Sequence, residues 1–287
     1  YLETSPWAFP VVAGLLGLIV GSFLNVVIHR LPIMLERQWR SQCYESYLMG
    51  RPVKESDEPF DLARPPSHCP SCNHHIAPWE NIPVISYVLL RGRCSACQSP
   101  ISPRYVGVEL LSGVLAVVVA LHFGFGWQGL TALLLTWALV VLSFIDLDHQ
   151  ILPDVITLPF LWGGLVLSLY GVFADMQAAI VGASVGYLLL WSVYHLFRLV
   201  TGKEGMGYGD FKLLALLGAW LGWQYLPLII LLSSIGGALV GVTLVLLRGR
   251  DKDLPMPFGP YLAAAGWVAL LWGETIMHNY LNYAGGA

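Results

Sequence analysis

The sequence predicts an all-α polytopic membrane protein of about eight transmembrane helices, with a small cytosolic zinc-ribbon-like insert. Three observations carry that expectation. First, 56% of the residues are hydrophobic and only 11% are charged, whereas a soluble domain carries about 25% charged residues. Second, the 15 Lys and Arg residues fall in three windows. Nine lie from Arg30 to Arg104, three are Arg198, Lys203 and Lys212, and three are Arg248, Arg250 and Lys252. Third, two Cys-x-x-Cys pairs stand inside the first window. The net charge of −3 says little as a sum, and no nucleic-acid partner is expected.

Hydrophobic runs of about 20 residues cross a bilayer. Taken in order, the runs lie near 9–28, 105–124, 127–145, 155–173, 177–197, 211–223, 226–247 and 258–277. The first lacks a basic n-region and a small-residue cleavage site, so it is expected to be a retained helix. No Lys or Arg occurs from Tyr105 to Phe197, from Leu213 to Leu247, or after Lys252. Basic residues stay on the cytoplasmic side, which puts the segments 30–104, 198–210 and 248–257 inside. Eight spans satisfy that rule and place both termini outside. The loop 146–154 then also falls inside. The sixth run is short. The expected organisation is a first transmembrane helix at 1–29, a cytosolic insert at 30–104, and a membrane-embedded core at 105–287. Most of the Trp residues fit an interface belt or lipid contacts.

Within the insert stand Cys69-Pro70-Ser71-Cys72 and Cys94-Ser95-Ala96-Cys97, with 21 residues between the pairs. Each pair offers two thiolates to one metal, and the second closes a tetrahedral shell. Cys69, Cys72, Cys94 and Cys97 are therefore expected to hold a structural Zn2+ without an open position for catalysis. A reducing cytosol disfavours disulfides, and a small insert needs a metal to fold. Cys43 is expected to be an unremarkable thiol. His68, His74 and His75 flank the first pair as substitute ligands that four cysteines make unnecessary. Residues 41–64 read as irregular or partly helical.

Two aspartates sit where an apolar run meets a polar loop. Asp146 lies in Phe144-Ile145-Asp146-Leu147-Asp148-His149-Gln150-Ile151-Leu152-Pro153-Asp154. Asp210 lies in Gly207-Tyr208-Gly209-Asp210-Phe211-Lys212. A charge at membrane depth costs roughly 2.5–3.5 kcal/mol on insertion scales, so such acids are functional candidates. Two carboxylates brought together share a proton and activate water. A proton-relay pair in a transporter is the alternative on chemistry alone, and a non-catalytic docking factor is another. Asp154 is expected to be an N-cap and Asp148 a loop residue. The glycines beside Asp210 allow close backbone approach to a substrate, and Lys212 is placed to balance a nearby carboxylate. Glu109 is a third buried acid in need of a partner, with Arg104 nearest in sequence. Asp175 and Glu274 are expected near the outer face in solvent, and His29 and Arg30 at the interface as anchors.

Taken together, these segments resemble the bacterial type IV prepilin peptidases. The resemblance runs through Gly21-Ser22-Phe23-Leu24-Asn25-Val26-Val27-Ile28-His29-Arg30-Leu31-Pro32, both cysteine pairs, and Pro78-Trp79-Glu80-Asn81-Ile82-Pro83. It continues through the Asp146 segment, Gly205-Met206-Gly207-Tyr208-Gly209-Asp210-Phe211-Lys212 and Pro257-Phe258-Gly259-Pro260-Tyr261. It covers nearly the whole chain without a departure from the family's pattern. It implies a GxGD-type aspartic protease of the bacterial inner membrane, with Asp146 and Asp210 as the catalytic pair. It implies type IV prepilins and type II secretion pseudopilins as substrates. These would be cut on the cytoplasmic side, after the Gly that ends a short basic leader. It implies N-methylation of the new terminus, usually Phe, with S-adenosylmethionine as methyl donor. No Gly-rich dinucleotide fingerprint is present, and the insert is too short for a separate doubly wound domain. A donor pocket is therefore expected between insert and membrane helices, with Asn25, Glu80, Asn81 and Glu109 as candidates.

Overall fold

A computed structural model of the chain describes residues 7–47, 60–203, 205–248 and 256–285. Among these the architecture is helical, with two isolated antiparallel bridges, His68 with His75 and Arg93 with Pro100. The chain forms two compact units, Tyr1–Gly124 and Phe125–Ala287.

The first unit is built on α1 (Ala8–Tyr47) and α3 (Pro103–Phe123). Between them lie a 3-10 turn at Pro78–Asn81 and the short α2 (Ile85–Leu89). The helix α1 has 40 residues, about 60 Å at 1.5 Å per residue and twice the hydrocarbon core of a bilayer. It thus runs well past the expected end near residue 28. It also takes in the start of the 41–64 stretch, expected to be irregular or partly helical, while 48–59 lie outside the described residues. Helix-forming residues follow Pro32, and Arg40 pairs with Glu36 one turn earlier at 2.6 Å. Pro32 removes only one ladder hydrogen bond. The faces of α1 and α3 meet through small residues. A methyl group on Gly17 would lie 2.8 Å from Ala116 Cβ, and one on Gly21 would lie 2.7 Å from Glu109 Cα. The Ser112 hydroxyl donates to the Gly17 carbonyl at 2.7 Å, which satisfies a buried polar group across the seam.

The second unit holds α4 (Trp127–His149), α5 (Asp154–Ser168), α6 (Met176–Thr201), α7 (Tyr208–Leu221), α8 (Leu226–Arg248) and α9 (Gly259–Gly285). Its centre is α7, in which every residue from Phe211 to Leu221 except Lys212 is buried. A helix apolar on all sides belongs inside. Glycines on its neighbours admit it. A methyl group on Gly182 of α6 would overlap the Gly218 carbonyl of α7, and the reverse substitution would overlap Gly182. On α5, Gly164 receives the Trp220 ring, whose Nε1 donates to the Phe160 carbonyl at 2.7 Å. On α9, Gly266 receives Leu217, while Trp267 Nε1 donates to Thr136 of α4 at 3.1 Å.

Every expected apolar run holds a helix. Among the described residues, five helical segments are long and apolar enough to cross a membrane: those of α1, α3, α4 and α6, and Trp223–Leu247. With 15 and 14 residues, α5 and α7 fall short of a full bilayer at 1.5 Å per residue. The 27-residue α9 is long enough but less apolar.

Candidate active site and metal centre

In the second unit three helix ends converge, those of α4, α7 and α9. Asp146 sits in the last turn of α4 and is 5% exposed. Its Oδ2 accepts the Gly259 N–H at 2.9 Å, from the opening turn of α9. That amide has no partner inside its own helix, so the carboxylate serves as its acceptor. A methyl group on Gly259 would lie 2.7 Å from the same oxygen. Asp210 is 6% exposed in the first turn of α7, where the helix dipole favours negative charge. Its residue 207 is the N-cap, so Asp210 does not cap the helix itself. Leu152 separates the two motifs. A methyl on Gly209 would lie 2.8 Å from Leu152 Cβ, and one on Gly259 would lie 3.3 Å from Leu152 Cδ1. Beside Gly209, Tyr208 joins Tyr194 and Phe211, with ring centroids 5.3 Å away in each case.

The flanking charges differ from expectation. Asp154 is not an N-cap, because Pro153 takes that position and Asp154 opens α5. Its carboxylate instead holds Lys212, with Nζ at 2.6 Å from Oδ1. Lys212 therefore neutralises Asp154. Asp148, expected in the loop, lies instead in the last turn of α4, where it is exposed. Asp175 caps α6 by accepting the Ala178 N–H at 2.8 Å.

The first unit carries the cysteines. The Sγ atoms of Cys69, Cys72, Cys94 and Cys97 all lie within 4.8 Å of one another. Cys69 and Cys97 are 3.7 Å apart, and Cys72 and Cys94 are 4.0 Å apart. A tetrahedral ion with bonds of about 2.3 Å requires an edge of about 3.8 Å, so the donor set fits. The Ser99 hydroxyl, 3.1 Å from Cys97 Sγ and 3.6 Å from Cys69 Sγ, holds both thiols below their usual range, Cys69 at about 6. Cys72 moves the other way. The His74 N–H favours its thiolate, yet burial and the three neighbouring cysteines push it up to about 12. Four thiolates cannot share this space without a cation, which a bound dication supplies. The cluster comprises the four cysteines alone, with His68, His74 and His75 outside it. Cys43 is exposed on α1.

Three of the candidates for the donor pocket already have partners in the first unit. Asn25 donates to the Tyr105 carbonyl at 3.0 Å. Glu80 accepts the Ala77 N–H at 2.9 Å and lies 3.4 Å from His74 Nε2. The Ser95 hydroxyl, together with those two contacts, holds the Glu80 carboxyl below its ordinary range. Glu80 thus ties the first cysteine pair to the second. Glu109 takes the Val84 N–H at 2.8 Å, not Arg104 as sequence proximity suggested. Asn81 is exposed at the end of the 3-10 turn. Arg30 is not a simple interface anchor. It is 9% exposed and donates to the carbonyls of Asp61 at 3.1 Å and Pro65 at 2.6 Å.

Comparison with known proteins adds to this geometry. Residues 15–123 match the bacterial peptidase A24 N-terminal domain, and residues 133–242 match the type IV leader peptidase family. The chain is 57% identical over 284 residues to a prepilin leader peptidase/N-methyltransferase of Stutzerimonas stutzeri, covering 99% of this chain and 98% of that one. It is 56% identical over 285 residues to the protein of that name from Pseudomonas aeruginosa, with 99% and 98% covered. The Legionella pneumophila protein of that name is 46% identical over 278 residues, with 97% and 96% covered. No solved structure matches the chain.

Proposed function

The chain belongs to the type IV leader peptidase family, and from that premise we propose that Asp146 and Asp210 are the catalytic pair of a membrane aspartic endopeptidase. The enzyme cleaves prepilins and N-methylates the product. Its substrates are type IV prepilins and type II secretion pseudopilins, cut after the Gly that ends a short basic leader. The single observation that carries the dyad is the placing of two buried aspartates at the ends of α4 and α7, with Leu152 packed against both Gly209, beside Asp210, and Gly259, which bonds Asp146.

The chemistry follows from a pair that holds one proton between two carboxyls and titrates as a unit. The ionised member takes a proton from water, whose oxygen attacks the scissile carbonyl carbon. The protonated member gives its proton to the carbonyl oxygen. The tetrahedral intermediate then collapses, the C–N bond breaks, and the leaving amine takes a proton back. The Gly259 N–H fixes the Asp146 carboxylate for these steps. Its lack of a side chain leaves room beside Oδ2.

The site's orientation follows the charge. The ends that carry Asp210 and Gly259 adjoin basic residues expected in the cytoplasm, Lys203 and Lys212 for the first and Arg248, Arg250 and Lys252 for the second, and the Gly259 N–H bonds Asp146 at that same end. The active end therefore faces the cytoplasmic side of a bacterial inner membrane, with both termini periplasmic and lipid around the helices. There it meets a substrate helix whose basic leader is held inside by the same rule.

Zn2+ fits the four cysteines and would fold the insert. S-adenosylmethionine supplies an electrophilic methyl group when bound. Asn25, Glu80, Asn81 and Glu109 are the candidates to line its pocket, and Asn25, Glu80 and Glu109 also make contacts within the first unit. The test is cleavage of a purified prepilin in detergent by wild type, Asp146→Asn and Asp210→Asn, with mass spectrometry of the new N-terminus. Loss of cutting in both folded variants, with a methyl mass on the wild-type product, is expected. Normal cutting by either variant overturns the dyad.

A further inference from the structure

Val84 has φ 60° and ψ −47°, a region that a β-branched residue almost never occupies. It is the centre of a γ-turn of the rare positive-φ kind, closed by the Ile85 N–H on the Pro83 carbonyl. Such strain persists only where the surroundings enforce it. Here the enforcing group is Glu109, 8% exposed on α3. Its Oε2 accepts the Val84 N–H at 2.8 Å, with Ser22 of α1 beside this carboxyl. Both groups are neutral, so the acid is not held by a salt bridge to either. Gly21, beside Ser22, lets α1 approach the Glu109 backbone.

The position of this contact within the insert gives it its meaning. Upstream of Val84 the 3-10 turn carries Glu80, which ties the two cysteine pairs together. Downstream, α2 leads toward Cys94. This hydrogen bond to a membrane helix therefore ties down the segment that braces the metal cluster, as the Arg30 bonds to Asp61 and Pro65 tie down the stretch before Cys69.

We infer that Glu109 is a positioning residue that docks the metal-bearing insert onto α1 and α3 in the geometry methyl transfer needs. This rests on the reading that the insert serves methylation. The acting element is the backbone N–H of Val84, and its side chain is incidental. Glu109→Gln keeps an acceptor oxygen, whereas Glu109→Ala removes it. Val84→Gly keeps the donor and relieves φ, whereas Val84→Pro removes the donor and fixes φ near −65°.

The experiment uses the full metal-loaded protein in detergent with a purified prepilin. It reads cleavage rate, methyl mass and hydrogen exchange over residues 80–90. Glu109→Ala and Val84→Pro are expected to exchange faster in that segment. They should lose methylation by about tenfold or more, the order set by one hydrogen bond to a charged group, and keep cleaving. Glu109→Gln and Val84→Gly should stay near wild type in all three. Unchanged exchange in Glu109→Ala overturns the docking contact. Faster exchange with intact methylation overturns the positioning role. Cys72→Ser, run alongside, separates that result from failure of the underlying reading, since normal methylation without the metal cluster would sink the latter. Loss of methylation in Glu109→Gln with wild-type exchange also overturns the proposal, because the charge itself would then be what matters. If Glu109→Ala does not fold, Val84→Pro, which removes the donor instead of the acceptor, carries the same test, and unchanged exchange or intact methylation in it overturns the proposal.

Discussion

The hydrogen bond from Gly259 to Asp146 joins positions 113 residues apart, and it sets the first prediction. Gly259→Ala would bring a methyl group to 2.7 Å from Asp146 Oδ2, so the carboxylate must move. A displacement approaching 1 Å at reacting groups costs about 100-fold in rate. Prepilin cleavage by Gly259→Ala should fall to that extent while gel filtration and melting remain near wild type, and an unaltered rate would discount the contact. Lys212 supplies a contrast. It pairs with exposed Asp154, and such pairs are worth about 0–1 kcal/mol. Lys212→Gln should shift stability by less than about 1 kcal/mol and leave cleavage close to normal, and a large loss of cleavage would mean that Lys212 acts on Asp210 after all. The two aspartates stood out in the sequence because an acid at the edge of an apolar run is costly to ionise, although helix capping, the role Asp175 has, explains such an acid equally well from sequence alone. The partners of Asp146, Glu109 and Arg30 did not stand out, because each is a backbone group far along the chain that no side-chain pattern encodes.

At the scale of elements, helix α7 owes its position to glycines on its neighbours. Gly182 and Gly218 let the backbones of α6 and α7 touch, and a side chain at either place overlaps a carbonyl. Backbone cannot yield as a flexible side chain can, so Gly218→Val should destabilise by at least the 1–3 kcal/mol typical of overpacking. A lower melting temperature with parallel loss of cleavage is expected, and an unchanged melt would contradict the close crossing. Hydrophobic run length located every helix of the membrane region, since burial in lipid or in protein selects the same residues. That degeneracy is also why run length could not say which helices cross fully. The central α7 is apolar because protein surrounds it, and its 14 residues do not cover a bilayer. The long α1 escaped notice for the opposite reason. Beyond Arg30 it is amphiphilic and charged, so hydropathy ends where the helix does not.

At the scale of the whole molecule, the two matched family regions, 15–123 and 133–242, fall one in each compact unit. The metal cluster belongs to the first unit and both aspartates to the second. If chemistry follows this division, the two activities separate by mutation. Four thiolates within 4.8 Å stay together only around a cation, and structural zinc is worth about 10–16 kcal/mol in small zinc modules. Stripping the metal with a strong chelator should therefore unfold the insert, which a rise in protease sensitivity between residues 60 and 102 would report. Methylation should fall with it, while cleavage by α4, α7 and α9 continues. Cys72→Ser should behave alike, and Asp146→Asn should do the reverse for a pre-cleaved substrate, methylating a free N-terminus that it cannot generate. Equal loss of both activities on metal removal would mean that the cluster supports the peptidase directly, and the division of labour between the two units would have to be abandoned.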